Sequence, residues 1–200
     1  METKKKTTES ILLMLLKEPF AKHTATSLAG VLGLTRQGIW KAVHALAEQK
    51  LIRIEALNGA KTSAALIRLN WQHPLTEKKL AFLLTQESLN YGRWIDEFKP
   101  LQEKVNFLLL FGSILHSPKT ANDIDIFMVV ADRSDFKGIE EALRTIQITQ
   151  RKKIHAIDLT ESEFKHELRR PNKAYFDALK KGVILHGYEQ FVQCIREVYL

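Results

Sequence analysis

The chain has 200 residues, 45% hydrophobic and 26% charged, a globular composition with no internal repeat, no low-complexity segment and no apolar run near the ~20 residues of a membrane helix. Cys194 is the one cysteine, so an intrachain disulfide is excluded; the apolar stretch Ile11 to Leu16 is too short for a signal peptide, and a soluble protein of a reducing cytoplasm with no membrane partner is expected. The formal charge of +7 is concentrated at one end: residues 1–72 carry 11 basic and 5 acidic side chains, the remainder 19 and 18. A basic module beside a near-neutral one suits a polyanion partner, although a solvated basic surface carries the same signature.

In chain order, Ile11, Leu12, Leu15 and Leu16 recur at helical spacing after Thr7 and Thr8 as candidate caps, and Pro19 stops that helix. Thr24 or Thr26 caps a second helix, Ser27 to Leu32, closed by Gly33. Thr35 caps a third, running to about Lys50. Its apolar face holds Ile39, Val43, Leu46 and Ala47; Arg36, Gln37, Trp40, Lys41 and His44 lie on the other. Two alternating segments follow, Leu51 to Ile54 and Ala65 to Leu69, with the hairpin signal Asn58-Gly59 between them.

Three helices and a hairpin in this order resemble the winged helix-turn-helix of bacterial and archaeal transcription regulators, over about residues 7–70. The segment Leu34 to Leu46 is similar to a recognition helix, and Glu48-Gln49-Lys50-Leu51-Ile52 to its exit into the wing. The resemblance implies a DNA partner. Arg36, Gln37, Trp40, Lys41 and His44 are the candidate DNA-binding residues, because a helix N-terminus bearing such side chains can enter a major groove. Lys41, Lys61 and the arm Lys4-Lys5-Lys6 are candidate phosphate contacts. A winged helix used for dimerisation or substrate docking is the other reading of the module, and packing against the second domain is the separate alternative to DNA contact for Trp40. A homodimer fits regulators that read paired half-sites.

Trp71 to Pro74 breaks the wing pattern, and two helices are predicted, Leu75 to Leu89 with Leu80, Leu83 and Leu84 inward, and Asn90 to Phe98 ending before Pro100. The expected organisation is a winged helix over 1–72, a helical linker over 73–100 and a second domain over 101–200, in an α+β chain.

Val105 to Phe111 reads as a strand buried on both faces, ending at Gly112-Ser113. Asn122 to Val130 reads as another, in which Asp123 and Asp125 share a face because strand side chains alternate. Carboxylates side by side repel, and a divalent cation between them relieves the repulsion; hard oxygen ligands suit Mg²⁺ together with phosphates. Gly112 lets the backbone approach a ligand closely, and Ser113 offers a hydroxyl and an N–H at an expected helix start. His155 and His166 have no cysteine near them and no metal-ligand spacing, so no zinc site is expected. Cys194 reads as a buried small residue.

Gly-Ser, nine residues, then Asp-x-Asp between strands, with Phe111, Ile124 and Ile126 flanking, resembles the DNA polymerase β-like nucleotidyltransferase superfamily and its minimal nucleotidyltransferases. The resemblance covers about residues 100–188, including Asn172, Tyr175 and the strand-like Lys181 to Gly187. It implies a mixed sheet with flanking helices and a two-metal Mg²⁺ site that moves a nucleoside monophosphate from a triphosphate, ATP by default, to an acceptor protein, RNA or small molecule. Asp123 and Asp125 would be metal-binding and catalytic, and Gly112 and Ser113 would hold the nucleotide phosphates. Asp158, on the strand-like segment Lys153 to Leu159, is the positional candidate for the family's third carboxylate, with a strand-end cap as its other reading. Many members place an arginine soon after Gly-Ser; here Ile114, Leu115 and His116 stand there, and His116 or Lys119 would have to substitute. A DNA-binding regulator that binds nucleotide without turnover is the alternative.

Overall fold

The lysine- and threonine-rich start contains no helix breaker, and in the computed structural model it is helical from its second residue. Helix α1 spans Glu2–Lys17. Thr7 and Thr8 therefore lie inside the helix and not at its cap, and Ser10 is likewise absorbed, its hydroxyl donating to the Lys6 carbonyl at 2.9 Å. The structure describes residues 2–56, 65–170 and 172–199. The Asn58-Gly59 turn and Lys61 lie outside the described residues, as do the side chains of Lys4 and Lys5. The described chain is mixed α and β, and it divides into two compact units, 1–80 and 81–200.

In the first unit α1 buries Ile11, Leu12, Leu15 and Leu16. Helix α2, Ala25–Leu32, is capped by Thr24, whose hydroxyl accepts from Ser27 N at 3.1 Å while the Ser27 hydroxyl accepts from Thr24 N at 2.8 Å. That reciprocal pair decides between the two threonines. Gly33, at φ 64°, ends the helix in the left-handed conformation. Helix α3, Arg36–Glu48, starts at Thr35, whose side chain accepts from Gly38 N, and buries Ile39, Ala42, Val43 and Leu46. The chain leaves α3 through Lys50, a non-glycine residue at φ 58°, with Leu51 N donating to Leu46 O and Asn70 Nδ2 donating to Lys50 O. Strands β1, Ile52–Ala56, and β2, Ala65–Leu69, pair antiparallel from Ile52 opposite Leu69 to Ala56 opposite Ala65.

Helix α4, Pro74–Ser88, buries Leu80, Leu83 and Leu84, and the division between units falls within it. Helix α5, Gly92–Glu97, follows a short 3-10 turn. The expectation of a separate linker over 73–100 is corrected here. Trp94, Phe98 and Leu101 are large apolar side chains that bury in the core cluster of the second unit, so the segment carrying them is part of that unit.

The second unit is built on a four-stranded sheet of order β5-β4-β3-β6, where β3 is Phe107–Phe111, β4 Asp123–Val130, β5 Lys153–Thr160 and β6 Val183–His186. Strand β3 is antiparallel to both neighbours; β4 and β5 are parallel, joined through helix α6, Phe136–Thr149. Alternation divides β3 and β4 into two apolar faces. Leu108, Leu110, Ile124, Ile126, Met128 and Val130 join Trp94, Phe98, Ile139 and Ile146 on one side. On the other side Phe107 meets Phe164 and Phe191 edge to face, at 5.1 and 5.4 Å between ring centroids. Phe127 stacks on Phe111 and touches Tyr175. These partners come from α7, Glu161–Arg169, α8, Lys173–Lys181, and α9, Tyr188–Tyr199, where Cys194 is buried. No helix among the described residues is long and apolar enough to cross a membrane.

Phe107 is 1% exposed and holds one ring from each of two helices. Phe107→Ala should therefore cost about 3–5 kcal/mol in a denaturant titration of the full chain, as expected for an emptied aromatic site.

Candidate functional site

Strand β4 opens with Asp123 and Asp125, whose side chains are 31% and 25% exposed, while Ile124 between them is fully buried. The pair lies on the sheet face that continues into Phe127. Strand β3 brings Phe111 opposite Asp125 and then turns at Gly112, φ 82° and ψ −163°. A Cβ at Gly112 would stand 2.3 Å from Asp125 Oδ2. Glycine is thus required twice, by a dihedral that L side chains rarely adopt and by a carboxylate that occupies the space of a side chain. Ser113, exposed, where a helix start was expected, opens a 3-10 turn, Ser113–Leu115. Ser117 N and His116 N both donate to the Ser113 carbonyl and Ile114 is buried, which fixes the turn. His116 and Lys119 are exposed beyond it.

The third member of the cluster is His155. Parallel pairing sets Lys153 opposite Asp123 and His155 opposite Asp125. The imidazole Nδ1 lies 3.3 Å from Asp123 Oδ2 and 3.6 Å from Asp125 Oδ1. One ligand atom from each of Asp123, Asp125 and His155 falls within 4.8 Å of the others. Burial raises the Asp125 pKa, the neighbouring Asp123 raises it further, and His155 pulls it back. Asp123 therefore disfavours the charge on Asp125, and a cation among the three side chains relieves that repulsion. Two carboxylate oxygens and an imidazole nitrogen suit a divalent ion; the nitrogen admits Mn²⁺ or Zn²⁺ beside the Mg²⁺ expected from oxygen ligands alone.

Asp158 does not join them. It pairs with Met128, three residues farther along β4 than the Asp125 level. By alternation it falls on the face of Ile154 and Ala156, which pack on the core cluster, opposite to His155. Asp158, the expected third carboxylate, thus stands apart from Asp123 and Asp125, and His155 stands beside them; among the described residues these three form a group that could hold a metal ion. The signal for His155 lay in the parity of Lys153 to Asp158, whose inward positions are Ile154 and Ala156. Asn172 acts as a helix cap, accepting from Ala174 N at 3.1 Å.

In the first unit the candidate nucleic-acid face is the outer side of α3. Arg36, Gln37, Trp40, Lys41 and His44 are all exposed there, with the Trp40 and His44 rings edge to face at 4.9 Å. Residues 7–60 match a family model described as an HTH domain. No curated protein and no solved structure matches the chain. The family match supports an N-terminal helix-turn-helix DNA-binding domain containing α2 and α3.

Two substitutions separate the turn from the ligand. Gly112→Ala should destabilise the second unit by about 1–3 kcal/mol through the forced dihedral and displace Asp125. His155→Ala, on a half-exposed side chain, should leave thermal unfolding nearly unchanged and weaken Mn²⁺ binding by at least about tenfold in calorimetric titration. Unchanged Mn²⁺ affinity in His155→Ala would remove the histidine from the ligand set.

Proposed function

We propose that the protein is a helix-turn-helix DNA-binding regulator whose second unit is a nucleotidyltransferase-type domain, transferring a nucleoside monophosphate from a triphosphate, ATP by default, to an acceptor hydroxyl on a protein, an RNA or a small molecule. The observation that carries this reading is the cluster of Asp123, Asp125 and His155 beside the Gly112 turn. Asp123, Asp125 and His155 would hold a divalent cation, which when bound neutralises phosphate charge and makes an acceptor hydroxyl more acidic. Gly112 keeps the backbone free of a side chain where phosphates approach, and Ser113 presents an exposed hydroxyl and the start of a turn to them. In the transfer, the bond from the acceptor oxygen to the α-phosphorus forms as the bond to pyrophosphate breaks, and the acceptor proton leaves to a base or to solvent. Positioning and charge neutralisation supply most of the rate in such reactions.

A second reading has its own support. Asp158 stands away from the cluster, and Ile114, Leu115 and His116, not an arginine, come directly after Ser113. A site with two carboxylates and a histidine, and no guanidinium fork for phosphate, fits nucleotide binding without turnover. Both readings keep the same site and separate only at the chemistry.

Incubation of the full chain with a divalent cation and each α-³²P-labelled nucleoside triphosphate, with and without cell lysate, tests the transfer. Label on an acceptor that disappears in the Asp123→Ala/Asp125→Ala variant is the expected result. Cation-dependent nucleotide binding with no label on any acceptor overturns the transfer and leaves the sensing regulator. DNA binding is tested separately by gel shift. Arg36→Ala/Lys41→Ala should weaken it strongly and lower the salt-dependence slope by about one for each phosphate that the variant no longer neutralises.

A further inference from the structure

On the α5–α6 side of the sheet, opposite to the face of Asp123 and Asp125, the second unit holds a cavity of about 240 Å³. Its lining is cationic: Arg93, Arg151 and Lys152 converge on it, and no carboxylate lines it. Trp94, Ile114 and Pro118 supply the apolar part of the wall.

Arg93 and Lys152 are held in place without being neutralised. The Arg93 guanidinium lies over the Trp94 ring, 5.0 Å from its centroid, which orients the group and leaves its N–H donors available. The Lys152 ammonium donates to the Ala121 carbonyl, one bond for a group with three donors. Neither Arg93 nor Arg151 has a carboxylate partner among the described residues. The nearby acid Glu97 lies outside the lining and accepts from the Thr149 hydroxyl at 3.0 Å.

The turn that carries two of these cations is built rigidly. Gln147 clamps it with both ends of its side-chain amide: Nε2 donates to Gln150 O and Lys152 O, and Oε1 accepts from Ile154 N at 2.8 Å. Residues 150–152 are thus set before any ligand arrives, which lowers the entropic cost of binding. Three like charges on one concave wall repel each other, and an anion in the cavity reverses that repulsion. Guanidinium forks match a phosphate's oxygens in pairs.

The geometry points to a phosphate-binding subsite formed by Arg93, Arg151 and Lys152, which takes the terminal phosphate monoester of a small sugar phosphate or of a nucleic-acid end. The cavity is smaller than the ~300 Å³ at which sites for whole drug-sized ligands begin, so it accepts a phosphate and the group next to it and not an entire nucleoside triphosphate. The subsite does not rest on the transfer reading, since none of its residues belongs to the Asp123, Asp125 and His155 cluster.

The test is a titration of the full chain, observed through the Trp94 indole N–H in ¹⁵N spectra. The resonance is assigned with Trp94→Phe. The probes are inorganic phosphate, ribose 5-phosphate, and a dinucleotide with and without a 5′-phosphate, each against chloride at equal ionic strength. A saturable shift with a phosphate monoester, absent with chloride and with the unphosphorylated dinucleotide, is expected. Arg151→Gln, at an exposed side chain, should weaken it at least about tenfold. Asp123→Ala/Asp125→Ala should leave it intact, which distinguishes this site from the metal cluster. Saturation by ribose 5-phosphate but not the phosphorylated dinucleotide assigns a small-molecule ligand; the reverse assigns a chain end. A shift that does not saturate, that chloride reproduces, or that Arg151→Gln leaves unchanged overturns the subsite.

Discussion

Strand β4 is a central strand covered on both faces, yet it begins with two carboxylates. Its inward positions Ile124, Ile126, Met128 and Val130 are all fully buried, and Phe127 fills the opposite face. A strand in that position cannot slip its register by one residue without moving Asp123 and Asp125 into the apolar cluster, where unpaired charge costs several kcal/mol. The core therefore fixes where the carboxylates stand. The carboxylates in turn constrain their surroundings: Gly112 must lack a side chain because Asp125 fills that space, and β5 must bring a group compatible with two negative charges to the level of Asp125. His155 meets that requirement.

Much of this is legible from residues. Thr35 and Gly33 announce the start of α3 and the end of α2, and the alternation of β4 puts Asp123 and Asp125 on one face without any tertiary information. What a sequence does not carry is register between strands distant along the chain. Asp158 and His155 are three residues apart on one strand, and a carboxylate is the more obvious partner for a metal. Only the pairing of Lys153 with Asp123 decides that the histidine arrives. The extent of the linker escapes for a related reason: Trp94 and Phe98 show an apolar stripe, but a stripe does not name the surface that covers it. The start of α1 is equally silent, because Lys, Thr and Glu satisfy a helix as readily as a tail.

Net charge is informative for one unit and blind for the other. The excess in residues 1–72 fits the exposed Arg36 and Lys41 on α3. The remainder is near neutral by count, which hides that its charges are segregated. Acids gather at the start of β4, while Arg93 on one segment and Arg151 and Lys152 on another surround one cavity. An average over residues cannot see such an arrangement, because it is made by folding and not by local composition.

Under the proposed transfer reading, an imidazole at His155, where the resemblance implies a carboxylate, has a chemical consequence. Three carboxylates would bring three negative charges to a site and favour hard, strongly hydrated Mg²⁺ together with triphosphate. Two carboxylates and a neutral imidazole bring two, which lowers the pull on the hardest cation and raises it on borderline ones such as Mn²⁺. It also removes one basic oxygen that could receive an acceptor's proton. The imidazole can take that part only when it is not ligating metal through its free nitrogen, because the lone pair cannot do both at once. Cation binding and proton acceptance thus compete at His155 if both use the same nitrogen, and the two nitrogens of the ring must divide the tasks for a single histidine to serve a transfer reaction.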